Sequence, residues 1–216
     1  MTGRLPFLRH RGVAAPLLAD NIDTDQIIPS REMKAVSREG LGGALFAGWR
    51  YLSPGGREEN PDFILNRPAY RQAAFLLGGR NFGCGSSREH AVWALKDYGV
   101  LAIIAPSFGE IFLANCIRNG LLPVVADADL VARLARLVAE DPRERLLTVD
   151  LPAQRVSIAG GSGLEFSFDI DAYSKRLLTE GLDPIGLTLS RRAEIDAFLA
   201  ADAAERPWIY GSGEGG

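Results

Sequence analysis

An α/β fold, a mainly parallel sheet flanked by helices with a smaller β-rich portion, follows from three observations on the 216-residue sequence. Short apolar runs alternate with helical stretches through residues 73–139, the order that a parallel sheet with crossover helices requires. Gly99 and Gly120 stand where helical stretches give way to apolar runs, as helix-ending glycines do. Farther on, residues 146–168 carry short alternating runs separated by Gly160, Gly161 and Gly163, the pattern of antiparallel strands joined by tight turns.

Along the chain, residues 13–18 are apolar and suit a strand. The cluster Asp20, Asn21, Asp23, Thr24 and Asp25 then predicts a turn-rich loop as far as Pro29. Residues 30–68 are rich in Gly and Pro around Phe46, Trp49, Tyr51 and Phe63, which predicts a long, partly ordered, substrate-facing loop. A strand is expected over 73–77, a glycine-rich turn over 78–85, and a helix over 86–98. Residues 100–105 form the next strand, 108–119 a helix, 121–126 a strand and 129–139 another helix. Short strands follow at 146–151, 155–159 and 164–168. Two helices, 172–179 and 191–204, flank the linker Gly181-Leu182-Asp183-Pro184-Ile185-Gly186. All of this is expected to form one domain, residues 1–210, with the β-rich portion and terminal helices at 143–204 and a disordered tail at 211–216.

Composition narrows the function. Hydrophobic residues make up 47% and charged residues 24%, which fits a soluble globular domain, and no apolar run approaches the roughly 20 residues of a membrane span. The N-terminal residues, interrupted by Arg4, Arg9 and Arg11, lack the apolar core of a secretory signal, so the mature chain is expected to start near Met1. With 24 basic against 27 acidic residues the net charge is −3, which offers no cationic field for nucleic acid. Two cysteines, Cys84 and Cys116, and two histidines make neither a Cys-x-x-Cys pair nor a zinc site. A cytoplasmic location is expected. An iron–sulfur cluster held by three or four thiolates cannot be built from this chain alone.

The chemistry concentrates in Asn81-Phe82-Gly83-Cys84-Gly85-Ser86-Ser87-Arg88-Glu89-His90. The glycines permit a sharp turn, and Ser86 with Glu89 three residues on has the form of a capping box, which places a helix N-terminus here. Its free N–H groups and dipole favour negative charge, and Arg88 adds a planar donor fork for a carboxylate. A serine hydroxyl in that field suits a base or nucleophile. The same pattern starts many ordinary helices, so the residues alone leave a plain capped turn open. Dinucleotide binding is rejected because the third glycine of its fingerprint is missing, and Gly-Ser-Ser-Arg is no nucleophile elbow. Cys84 and Cys116 are expected to pack, and His90 to satisfy a local hydrogen bond. Trp49, Arg50 and Tyr51 either line a substrate pocket or pack the loop.

Gly85-Ser86-Ser87-Arg88-Glu89-His90 resembles the signature of the swivelling domain of the aconitase superfamily. The resemblance extends to Asn21-Ile22-Asp23-Thr24-Asp25-Gln26-Ile27-Ile28-Pro29, to Ala105-Pro106-Ser107-Phe108-Gly109-Glu110-Ile111-Phe112 with Asn115, and to Gly120-Leu121-Leu122-Pro123. Phe46 with Trp49-Arg50-Tyr51-Leu52, Asn60-Pro61-Asp62-Phe63 and the run from Gly181 to Leu189 are also similar, so nearly the whole chain is covered. Within the superfamily it is most similar to bacterial-type isopropylmalate dehydratase small subunits, since aconitases usually carry glutamate where this chain has Cys84. Small subunits of homoaconitase or citramalate-type hydro-lyases, and a non-catalytic module of the same fold, are the alternatives.

What the resemblance implies is an active site shared between two chains. A large partner subunit holds a [4Fe–4S] cluster whose open iron binds the substrate hydroxyl and a carboxylate, and this chain binds no cofactor itself. A small dicarboxylate is the substrate, with neither nucleic acid nor membrane as partner. By position, Ser86 is the base that removes a proton from carbon, Ser87 an orienting neighbour and Arg88 a carboxylate clamp. Asp25 matches a family active-site aspartate, and Arg38 a second carboxylate-binding arginine. Water would leave 2-isopropylmalate and add back at the neighbouring carbon through 2-isopropylmaleate, a step of leucine biosynthesis.

Overall fold

The structure, a computed structural model, describes residues 4–33, 40–159 and 163–210. Arg38, Gly160 and Gly161, and the tail at 211–216, lie outside the described residues. Strands β2 (Ala14–Leu17), β3 (Phe75–Gly78), β4 (Ala102–Ala105) and β5 (Leu122–Val125) form a wholly parallel sheet in that order. Helices α3 (Glu89–Tyr98) and α4 (Glu110–Asn119) are the crossovers between β3, β4 and β5. Both close on a left-handed glycine, Gly99 at φ 108° and Gly120 at φ 75°, whose N–H groups take up the last helical carbonyls.

The period of two divides the sheet residues between its faces. Ala15, Leu76, Ile103 and Ala105 meet α3, α4 and the segment before β3 in one apolar cluster. Ala14, Phe75, Leu77, Ala102 and Ile104 meet α5 (Ala128–Glu140) and the second sheet in another. These strands are therefore apolar on both sides, as a sheet covered on both faces demands.

The second sheet is antiparallel, in the order β1 (Arg9–Gly12), β6 (Leu147–Asp150), β7 (Arg155–Ile158) and β8 (Glu165–Ser167). It equals the parallel sheet in strand number and is not confined to 143–204. Its first strand comes from the N-terminus, and only Val13 separates β1 from β2, so one extended segment joins the two sheets. The half-exposed β1, with Arg9, His10 and Arg11, lacks the continuous apolar run that marks the central strands.

Two further expectations change. In the span 30–68, the described residues 40–68 are packed, with 3-10 turns at Gly42–Ala44 and Ile64–Asn66 and a helical turn, α2 (Ala47–Arg50). Leu45, Phe46 and Leu65 are fully buried, and buried Asn66 donates to the carbonyls of Arg50 (2.7 Å) and Asn60 (2.8 Å). Glycine and proline content signalled irregular backbone; hydrogen bonds between distant loop residues give it order. The linker after α6 (Ala172–Glu180) also starts a helix, α7 (Pro184–Leu189), because Asp183 caps the Gly186 N–H at 2.6 Å and Pro184 occupies the first turn. Helix α8 (Arg192–Glu205) follows. No helix among the described residues is long and apolar enough to cross a membrane.

Candidate functional site

The site lies beyond the carboxyl ends of β2, β3 and β4, the edge where open α/β sheets bind ligands. There the three loops continue the pairing of the strands they leave. The Asn21 N–H donates to the Arg80 carbonyl (2.8 Å), the Gly83 N–H to Ile22 (2.7 Å) and the Thr24 N–H to Cys84 (2.9 Å). On the other flank the Phe82 N–H donates to the Ser107 carbonyl (3.0 Å) and the Gly109 N–H to Phe82 (2.9 Å). Asn21 and Asn81 are both left-handed, at φ 57° and 56°, and their side chains bond to each other at 2.9 Å. Asparagine tolerates that backbone better than other residues with a Cβ.

Asp25 sits on the helical turn α1 (Thr24–Ile27), which Asp23 starts: its carboxylate accepts from the Gln26 N–H (2.7 Å) while the Gln26 side chain accepts from the Asp23 N–H (2.8 Å). A turn-rich loop was expected over these residues, and the spacing of Asp23 and Gln26 is the signal that could have found the cap. The cap aims the Asp25 carboxylate at Arg88, whose guanidinium donates to Oδ1. Ser30 adds its N–H (3.1 Å) and its hydroxyl (2.9 Å) to the same oxygen. Thr24 holds the other loop, its hydroxyl donating to the Ser86 carbonyl at 3.1 Å.

The expected capping box at Ser86 and Glu89 does not form. Helix α3 begins at Glu89 with Arg88 as its N-cap residue, and Ser86 and Ser87 lie in the preceding bend. Gly85 at φ 93° turns the chain away from helix, and the Ser86 carbonyl is held by Thr24 and by the Arg88 N–H (2.8 Å). The Glu89 carboxylate instead accepts from the Asn119 amide at 2.7 Å. Both serines are thereby exposed, and among the described residues neither hydroxyl has a hydrogen-bond partner.

Ser86, Ser87, Arg88 and Asp25 are thus brought together from two loops, while Arg38 is outside the described residues. Sequence reasoning missed Ser30 and Thr24, whose contacts depend on the two loops meeting. Cys84 is half-buried in the turn and Cys116 fully buried, where burial pushes its thiol well above the usual value. His90 packs on Trp93 with ring centroids 4.6 Å apart. Trp49 lies parallel to Phe46 at 5.7 Å, and the Arg50 guanidinium donates to the Gly42 carbonyl at 2.9 Å, so both pack the loop.

The Arg88 bond, followed by those from Ser30, holds the Asp25 carboxyl below its ordinary value of 3.8. The sign follows from the depression: this contribution to stability is complete above pH 3.8 and is lost as pH falls through the lower folded value. In an NMR titration of side-chain carboxyls, Asp25 is expected to titrate below 3.8 in the parent and to move up toward it in R88A. An unchanged Asp25 titration in R88A would reject the pairing as the cause.

Comparison with known proteins places this arrangement in a class and then in a family. The family model of the aconitase C-terminal domain matches residues 5–129, which hold the whole site. A 3-isopropylmalate dehydratase small subunit from Cupriavidus necator is 56% identical over 208 residues, 96% of this chain and 99% of that one. One from Methylibium petroleiphilum is 48% identical over 94% of this chain and 96% of its own length. A crystal structure of 3-isopropylmalate dehydratase from Methanocaldococcus jannaschii superposes with a TM-score of 0.63 at 26% identity, covering 88% of this chain and 98% of that one. The chain belongs to the family of 3-isopropylmalate dehydratase small subunits, and so to the hydro-lyases. A small subunit has a large subunit as its partner.

Proposed function

We propose that this chain supplies the carbon base and one carboxylate clamp to a two-subunit dehydratase that interconverts 2-isopropylmalate and 3-isopropylmalate in the cytoplasm. The observation that supports it is the exposed Ser86 hydroxyl, without a hydrogen-bond partner among the described residues, two residues before an Arg88 guanidinium already oriented by a carboxylate. Arg88 presents a cation at the carboxyl edge of the sheet, and a substrate carboxylate binds it with Asp25 as the fixed second partner. Ser86, as the alkoxide, takes the proton from the substrate carbon; the electron pair of that C–H bond becomes the double bond of the maleate as the neighbouring C–O bond breaks, its electron pair leaving with the hydroxyl as the hydroxide that later adds back. Readdition at the other carbon completes the isomerisation, with the Ser86 hydroxyl returning the proton. Ser87 orients the carboxylate beside Ser86.

The family implies an iron–sulfur cluster, which would activate the departing hydroxyl. The donor set here does not fit one: the sequence has two cysteines, Cys116 is buried, and the described residues contain no group of three or more His, Cys, Asp or Glu able to hold a metal. No step assigned to this chain passes through the cluster, whose ligands belong to the large subunit.

Reconstitution tests the reading. The purified chain alone is expected to leave 2-isopropylmalate unchanged, and addition of its large subunit to start turnover. Turnover by the chain alone, or a complex that dehydrates only citramalate or homocitrate, would overturn it.

A further inference from the structure

Three polar residues of α3, Glu89, Trp93 and Lys96, recur at i, i+4 and i+7 and therefore lie along one face of the helix. All three meet one residue, Asn119, at the end of α4. The Asn119 side-chain amide donates to the Glu89 carboxylate (2.7 Å) and to the Asn115 carbonyl (2.9 Å). Its oxygen accepts from the Trp93 indole N–H at 3.0 Å, and the Lys96 ammonium donates to the Asn119 backbone carbonyl. Asn119 is only 5% exposed, and a buried amide with this set of partners fixes one geometry, because leaving any of them unpaired is costly. Glu89 is the first residue of α3 and directly follows Arg88.

We infer that the Glu89–Asn119 contact is a positioning device: it sets the start of α3, and through it the direction of the Arg88 guanidinium and the exposed bend at Ser86 and Ser87. The inference rests on the proposed role of Arg88 as carboxylate clamp. Glu89 is assigned a positioning role, acting through Arg88. Its carboxylate is turned toward α4, which is why it is unavailable for the capping box that its spacing from Ser86 suggests. The bond requires an acceptor oxygen at the reach of a glutamate side chain. A negative charge at the helix start is a separate property, and the two can be separated by substitution.

In the assembled two-subunit enzyme, Glu89→Gln keeps the reach and the acceptor oxygen but removes the charge, whereas Glu89→Asp keeps the charge and withdraws the acceptor by one methylene. A displacement of about 1 Å at a reacting group costs on the order of 10²-fold in rate. E89D is therefore expected to lower kcat/KM for 2-isopropylmalate about 10- to 100-fold, with KM raised, while E89Q stays near the parent. Thermal midpoints and the amount of assembled complex are measured on the same preparations, since a merely structural loss lowers those and leaves the KM of the assembled enzyme unchanged. E89D with parental KM, or E89Q more impaired than E89D, would overturn the inference. An R88A arm separates the two readings. R88A without turnover beside a normal E89D removes the positioning role alone; R88A with parental kinetics removes the clamp and the inference that rests on it.

Discussion

Ser86→Ala in the reconstituted enzyme is expected to lower kcat by about 10²- to 10⁴-fold, the range that a positioned general base contributes, while the two subunits still assemble. The loss should fall on kcat more than on KM, because Arg88, the carboxylate clamp, and Asp25, which orients it, are untouched. Assembly should survive because the Ser86 hydroxyl has no partner among the described residues, whereas its carbonyl, which holds Thr24, is kept in the alanine variant. Proton exchange between solvent and the abstracted position of the substrate offers a second readout, and should slow in parallel with turnover. A variant that turns over within a few-fold of the parent would remove Ser86 from the role of base and leave Ser87 as the next residue to substitute.

Gly83→Ala is expected to act on the fold. Gly83 has φ 74°, and a Cβ added there would lie 2.2 Å from the ring of buried Phe112, well inside van der Waals contact. Left-handed backbone costs a residue with a Cβ about 1–2 kcal/mol, and overpacking a filled core about 1–3 kcal/mol more. A loss of roughly 2–5 kcal/mol follows, a large part of the about 5–15 kcal/mol margin of an ordinary domain. Gly85 provides the internal control. At φ 93° it carries the backbone strain, but a Cβ there would meet nothing nearer than the Asp23 Cβ at 3.4 Å, so G85A should cost only about 1–2 kcal/mol. Denaturant midpoints at constant slope measure both. Equal losses in the two variants would show that contact with Phe112 adds nothing.

The two expectations concern one motif with two kinds of residue, which explains how differently they read from sequence. Ser86, Ser87 and Arg88 were legible as an anion-friendly turn before a helix, from hydroxyl, guanidinium and glycine in one short run, a pattern that many ordinary helix starts share. Their roles came from the family resemblance. The cap at Ser86 was misplaced because spacing alone cannot say what else competes for the glutamate, and here Asn119, 30 residues farther on, takes it. Strand β1 and helix α7 escaped for related reasons. The first is half-exposed at a sheet edge, where β-branched and apolar residues are not required. The second is short and begins inside a Gly-Leu-Asp-Pro run that resembles a turn until the Asp183 cap is seen.

Properties written in consecutive residues were therefore decided by the sequence itself: the alternation of strands and helices from 73 to 139, the glycine-stopped helices, the lack of enough thiolates for a cluster, and the chemical character of the turn at 81–90. Tertiary structure alone decided which groups share a site. Asp25 and Arg88 are 63 residues apart, and they meet because β2 and β3 are adjacent in one parallel sheet and their loops extend its pairing. Local propensity acts over a few residues, but a contact between loops is fixed by strand order and by the desolvation cost of leaving backbone and side-chain groups unpaired. Neither is a property of any window of sequence.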